Sequence, residues 1–214
     1  MEITFKLLTY VAILGFTLGF IINKTNFCTM GAVSDWVNIG DLNRFKAWML
    51  ATSIAILGVS ILEFADIINL DSSRPPYRSS VFFWPRYIVG GLMFGIGMTL
   101  SSGCGNKTLI RLGSGNLKSF IVLLVAGLMA YLMTRTDFYG LVFHSWMSPI
   151  SPDLAKIGIE DQSLGAIFST LFMYDNVEGL RFLIGIIISV VLLIFIMKAG
   201  DFLKNTNNIL SGFT

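Results

Sequence analysis

Two cysteines, Cys28 and Cys104, are the only thiols in the chain. A thiol can act as a nucleophile, a metal ligand, a weak hydrogen-bond donor or simply a small buried hydrophobe. Several of these chemistries are excluded by what surrounds the pair. The single histidine, His144, and two separated cysteines make no metal site. No CxxC, no Ser/His/Asp set and no phosphate loop is present. A Cys28–Cys104 disulfide stays open, because a sequence gives no distance. What singles the cysteines out is an internal repeat. Gly15 and Gly19 form a GxxxG before Cys28, and Gly91 and Gly95 form another before Cys104, with identical spacing. After each cysteine comes a polar stretch with a Gly and an Asn: Gly40 and Asn43, then Gly115 and Asn116. A basic residue and a new apolar helix follow in both copies. One buried cysteine is unremarkable, whereas one per repeat at the same point argues for function.

The residues beside each cysteine predict a break in the helix. Ser101-Ser102-Gly103-Cys104-Gly105-Asn106 holds two glycines and three hydrogen-bonding side chains, and glycine disfavours a helix interior. Asn26–Gly31 is a milder version. Irregular backbone at membrane depth survives only inside protein or along a wet cavity. A helix that restarts after such a break offers free N–H groups and a positive dipole end, which suits an anion. The candidate binding residues are therefore Cys28, Cys104, Gly103, Gly105, Asn106 and Lys107. Arg111 and, for the first copy, Lys24 would add positive potential. Asp35 is expected to be solvated or paired with a basic neighbour. Glu63 and Asp66, at the end of the second helix, are expected to be exposed. His144 sits in an aromatic stretch and is given no role.

The elements that must position these residues are membrane helices. Of 214 residues, 54% are hydrophobic and only 13% charged, about half the charged share of a soluble domain. Mean hydropathy is +0.74. The net charge of +2 is too small to imply nucleic acid. The fold class is all-α integral membrane, with about five hydrophobic helices and two Cys-bearing broken or re-entrant segments in the repeat. Uncharged runs mark the helices at Leu7–Asn23, Ala47–Leu62, Tyr87–Asn106, Ser119–Thr134 and Phe182–Met197. Arg44, Lys46, Lys118, Arg181 and Lys198 flank them and are expected to snorkel to headgroups. The stretch after Lys6 reads as a retained first helix rather than a cleaved signal. We expect a single membrane domain over 1–214. Repeat unit 1 covers about 5–65, repeat unit 2 about 81–135, an interfacial aromatic segment about 138–176 and a last helix about 180–198. Asp71–Pro76 reads as a polar loop. Basic residues are spread too evenly to fix orientation.

The two cysteine segments also resemble a known family. Phe27–Asp35 (FCTMGAVSD) and Ser101–Ser119 (SSGCGNKTLIRLGSGNLKS) are similar to the YeeE/YedE family of sulfur-compound transporters. The resemblance covers nearly all of the chain. It implies a thiosulfate importer of the bacterial inner membrane, with no cofactor. Thiosulfate would pass along cysteine thiols lining a narrow path, held by S–H···S contacts weak enough to release it. The thiols would be neutral, since a thiolate repels a dianion, and apolar burial favours that form. Cys28 and Cys104 match two of the family's cysteines. Family members are longer and carry a third cysteine in a second, Gly-rich half, to which Asp201–Thr214 resembles the lead-in. The resemblance thus implies an N-terminal portion, a truncated product or one subunit of a split transporter, with a second chain supplying the rest. It also implies a TusA-like small sulfur-carrier protein as partner. Two other function classes compete: a membrane sulfurtransferase or thiol redox component, and a non-transporting partner of another chain.

Overall fold

A computed structural model describes residues 2–70, 78–159, 161–172, 176–198, 202 and 206–213. The expected loop at Asp71–Pro76 lies outside them. So do Glu160 and Met173–Asp175 of the interfacial segment, and part of Asp201–Thr214.

The described chain is helical, with one isolated bridge, Val81 to Asp153, and no strand. Five segments are long and apolar enough to cross a membrane. They are carried by α1 (Glu2–Thr25), α3 (Asn43–Phe64), α4 (Trp84–Leu100), α6 (Leu117–Arg135) and α9 (Val177–Met197). At 1.5 Å per residue these rise about 36, 33, 26, 29 and 32 Å, against a hydrocarbon core of about 30 Å. Four of the apolar runs recruit polar or basic flanks into their helices, which lengthens them; Tyr87–Asn106 is instead cut short at Leu100. Side chains such as Phe16 and Leu100 are 78% and 82% exposed, a cost that only a lipid solvent removes. The protein is an all-α, multi-pass membrane protein.

Two shorter helices, α2 (Thr29–Ile39) and α5 (Gly105–Gly113), follow α1 and α4. At about 16 and 14 Å they are half-length pieces. The uncharged run Tyr87–Asn106 is accordingly not one helix. It stops at Leu100, and α5 restarts at Gly105.

The chain forms two compact units. The first comprises Met1–Thr52, Gly97–Gly127 and Ile194–Thr214. Its interior includes Cys28, Ala32, Ala47, Leu50, Cys104 and Phe202. Lys46, expected at the headgroups, is only 9% exposed. The short helix α10 (Thr206–Gly212) packs so closely that a Cβ at Gly212 would lie 2.4 Å from Leu50 Cδ2.

The second unit comprises Ser53–Ile96 and Leu128–Leu193. Its spine is an antiparallel seam between α3 and α9. Ser53 and Ser189, both fully buried, exchange hydrogen bonds: each hydroxyl donates to the other's carbonyl, at 3.1 and 2.9 Å. Further along, Gly185 faces Ser60, and Phe64 stacks on Phe182 at 4.4 Å. Glu63 is not simply exposed as expected. It takes a two-pronged ion pair from Arg78 at 2.5 and 2.8 Å, which the apolar pattern gave no means of seeing.

Residues 138–172 hold a π-turn at Gly140–His144, α7 (Ser145–Met147), a 3-10 turn at Leu154–Ile157 and α8 (Leu164–Phe172). His144 lies beside the rings of Phe83 and Tyr139. Arg181 reaches from α9 to Asp161 and Ser163, and is one of the flanking cations that finds a carboxylate rather than a headgroup.

Candidate functional site

The site belongs entirely to the first unit. α1 ends at Thr25, and Asn26 takes a left-handed conformation at φ +52°. In the other segment α4 ends at Leu100, and Ser102 takes φ +58°. Each stands two residues before a cysteine. An L-residue pays for this conformation, and Asn and Ser soften it through short polar side chains. Both cysteines then adopt extended backbone, at φ −156° and −73°, and cap the helix that follows. Their carbonyls accept the first helical bonds, from Ala32 N–H at 2.9 Å and Thr108 N–H at 3.0 Å. Ala32 and Thr108 are both buried. Thr108 adds its hydroxyl to the Cys104 carbonyl, and Ser101 Oγ donates to Gly103 O at 2.9 Å, which together fix the second turn.

These two turns bring the thiols together. Cys28 Sγ donates to Cys104 Sγ at 3.2 Å, and both are free, 4% and 7% exposed. A disulfide would require about 2.05 Å, so the structure holds a thiol pair. Neither cysteine supplies a side-chain cap, and no acidic residue stands in the first turn of α2 or α5.

The remaining candidates divide. Gly103 is buried beside Cys104. Lys107 is half-buried and folds back over Gly103; a Cβ there would touch its Cβ and Cγ at 3.5 and 3.6 Å. Gly105 and Asn106 are exposed at the start of α5 and do not join the buried pair. Arg111 donates through Nη1 to Ser102 O at 2.8 Å, tying a cation to the turn. Asp35 is paired with Arg44 at 3.2 Å. Arg44, expected only to snorkel as a helix flank, is placed otherwise: its guanidinium comes from α3 to stand over Gly31, 3.0 Å from where a Cβ would be. The available signal was a glycine three residues after Cys28, at the place Lys107 holds in the other copy. Among the described residues no group of three His, Cys, Asp or Glu side chains is placed to hold a metal.

A family model described as sulphur transport matches residues 24–200. The thiosulfate transporter TsuA of Escherichia coli strain K12 is 29% identical over 137 residues, which covers 64% of this chain and 37% of that protein. The thiosulfate transporter TsuA of Spirochaeta thermophila is 25% identical over 151 residues, covering 71% and 42%. The chain thus spans well under half the length of either relative. No solved structure matches it.

Proposed function

Because this chain belongs to the sulphur transport (YeeE/YedE) family, we propose that it forms part or all of a transporter for thiosulfate or a related sulfur-containing anion. The observation that carries the reading is the buried thiol pair, 3.2 Å apart, at the start of two half-length helices. A sulfur anion entering between Cys28 and Cys104 would exchange one S–H···S contact for another of similar strength. It would gain the dipole ends of α2 and α5 without being held tightly. A neutral thiol accepts a dianion where a thiolate would repel it. In this reading Cys28, Cys104, Gly103 and Lys107 form the contact region, and Gly105 and Asn106 the approach. The membrane is the bacterial inner membrane. The partner is a TusA-like carrier at the cytoplasmic face.

The closeness of the two sulfurs also favours a second reading, a thiol redox component cycling through a Cys28–Cys104 disulfide. One experiment separates them. Radiolabelled thiosulfate uptake is measured in a bacterial strain lacking its own importers, and the cysteine state is followed by mass spectrometry of the same membranes. Transport through thiols predicts that Cys28→Ser and Cys104→Ser each lower uptake by about tenfold or more, while the wild-type cysteines stay reduced. Equal uptake in both variants and wild type removes the cysteine path. A disulfide that appears only during turnover selects the redox reading.

A further inference from the structure

Two pairs of positions in the internal repeat carry charges that do not match. Cys28 and Cys104 are separated by 76 residues. At that offset Gly31 corresponds to Lys107, and Asp35 to Arg111. The second copy therefore places a cation three residues after its cysteine, where the first copy has no side chain at all. The structure fills that gap. Arg44, from α3, lays its Nη1 over Gly31, at 3.0 Å from an ideal Cβ, and that same Cβ would lie 3.6 Å from Cys28 Cβ. A basic side chain thus lies along each cysteine turn: Arg44, delivered from α3, at Gly31, and Lys107 of α5, through its Cβ and Cγ, at Gly103. The electrostatics differ in one respect. Arg44 is neutralised by Asp35 at 3.2 Å, whereas at the equivalent position Arg111 adds a second positive charge and bonds a carbonyl.

We propose that Arg44 is the anion-positioning residue of the first cysteine, the counterpart of Lys107 beside the second, and that Asp35 sets how much of its charge Cys28 feels. The proposal rests on the reading of this thiol pair as an anion path and assigns that path a polarity: a compensated cation at Cys28 and uncompensated cations at Cys104. The chemical class selected is a small anion, held more firmly at the second cysteine than at the first. A Cβ at Gly31 would lie 3.0 Å from the Arg44 guanidinium, so a side chain there would displace that head group.

The test uses purified full-length protein in detergent, with Cys104→Ser leaving Cys28 as the sole thiol. Its rate of modification is measured with an anionic methanethiosulfonate (the sulfonatoethyl reagent) and with the neutral methyl reagent. The thiol displaces methanesulfinate and forms a mixed disulfide in both cases, so the ratio of rates reports the local potential and the neutral rate reports access. Arg44→Gln is expected to lower the anionic-to-neutral ratio about fivefold, and Asp35→Asn to raise it by a similar factor. Arg44→Lys is expected to keep it within about twofold. Both Arg44→Gln and Asp35→Asn break the same ion pair, so a purely structural role for the pair would move the ratio in the same direction in both. That result, or no change, or a Cys28 inert to the neutral reagent in every variant, overturns the proposal. Thiosulfate is absent from the measurement. A chain that failed to carry thiosulfate would still show the opposite shifts, and one that carried it through thiols alone would not.

Discussion

At the scale of single residues, the structure shows how far side-chain chemistry depends on what another segment brings. Asp161 is an example outside the membrane spans. Burial pushes its carboxyl pKa up. The hydroxyl and N–H of Ser163 and the guanidinium charges of Arg181 and Arg78 outweigh that effect and hold it below the ordinary value of 3.8. A depressed folded-state pKa contributes stability that is present above the unfolded pKa and lost as pH falls through the folded one. Thermal denaturation in detergent is therefore expected to show constant melting temperature above about pH 5, falling below about pH 4, with Asp161→Asn flattening that acid limb. An unchanged acid limb in the variant would mean that other carboxylates carry it. The sequence placed Arg181 at a helix end, which is right, but sent it to the headgroups. Its partner lies 20 residues earlier, before α8, where no periodicity points to it.

At the scale of elements, the hydrophobic runs located all five long helices, because a backbone in lipid must satisfy its own hydrogen bonds and an apolar run of this length has little alternative. α1 and α4 end at Thr25 and Leu100, just before stretches whose polar side chains offer the backbone other partners. The α3–α9 seam was not legible. Its members, Ser53, Ser60, Gly185 and Ser189, are ordinary small residues in apolar runs, and only contact shows that they face each other. Packing should dominate this seam over hydrogen bonding. Gly185→Leu would drive a side chain into Ser60, whose Oγ lies 2.3 Å from an ideal Cβ, and is expected to destabilise by about 1–3 kcal/mol. Ser53→Ala removes one bond worth about 0.6 kcal/mol in a membrane protein. Thermal stability of the two variants in detergent checks the order. A larger loss in Ser53→Ala would reverse the assignment.

At the scale of the whole molecule, composition settled the solvent. Five helices that present large apolar side chains outward keep the chain in the bilayer. It is expected to stay in the membrane pellet after an alkaline carbonate wash, measured by immunoblot of the two fractions. Release into the supernatant would mean peripheral attachment. The family match extends from residue 24 to 200 and so takes in both cysteine turns and the helices from α2 to α9, with only the last two residues of α1.

The sequence by itself determined the all-α membrane class, the positions of the long helices and the family. Each of these is written in local composition, spacing or motif, and lipid enforces the first two strongly. Only the tertiary structure decided that the equivalent cysteines meet, that Arg44 of α3 stands in for a side chain missing at Gly31, and that Glu63 and Asp161 have arginine partners. Contacts between segments far apart in the chain depend on how helices pack. In a membrane that packing turns on small residues and a few polar contacts, which leave almost no periodic trace in a sequence.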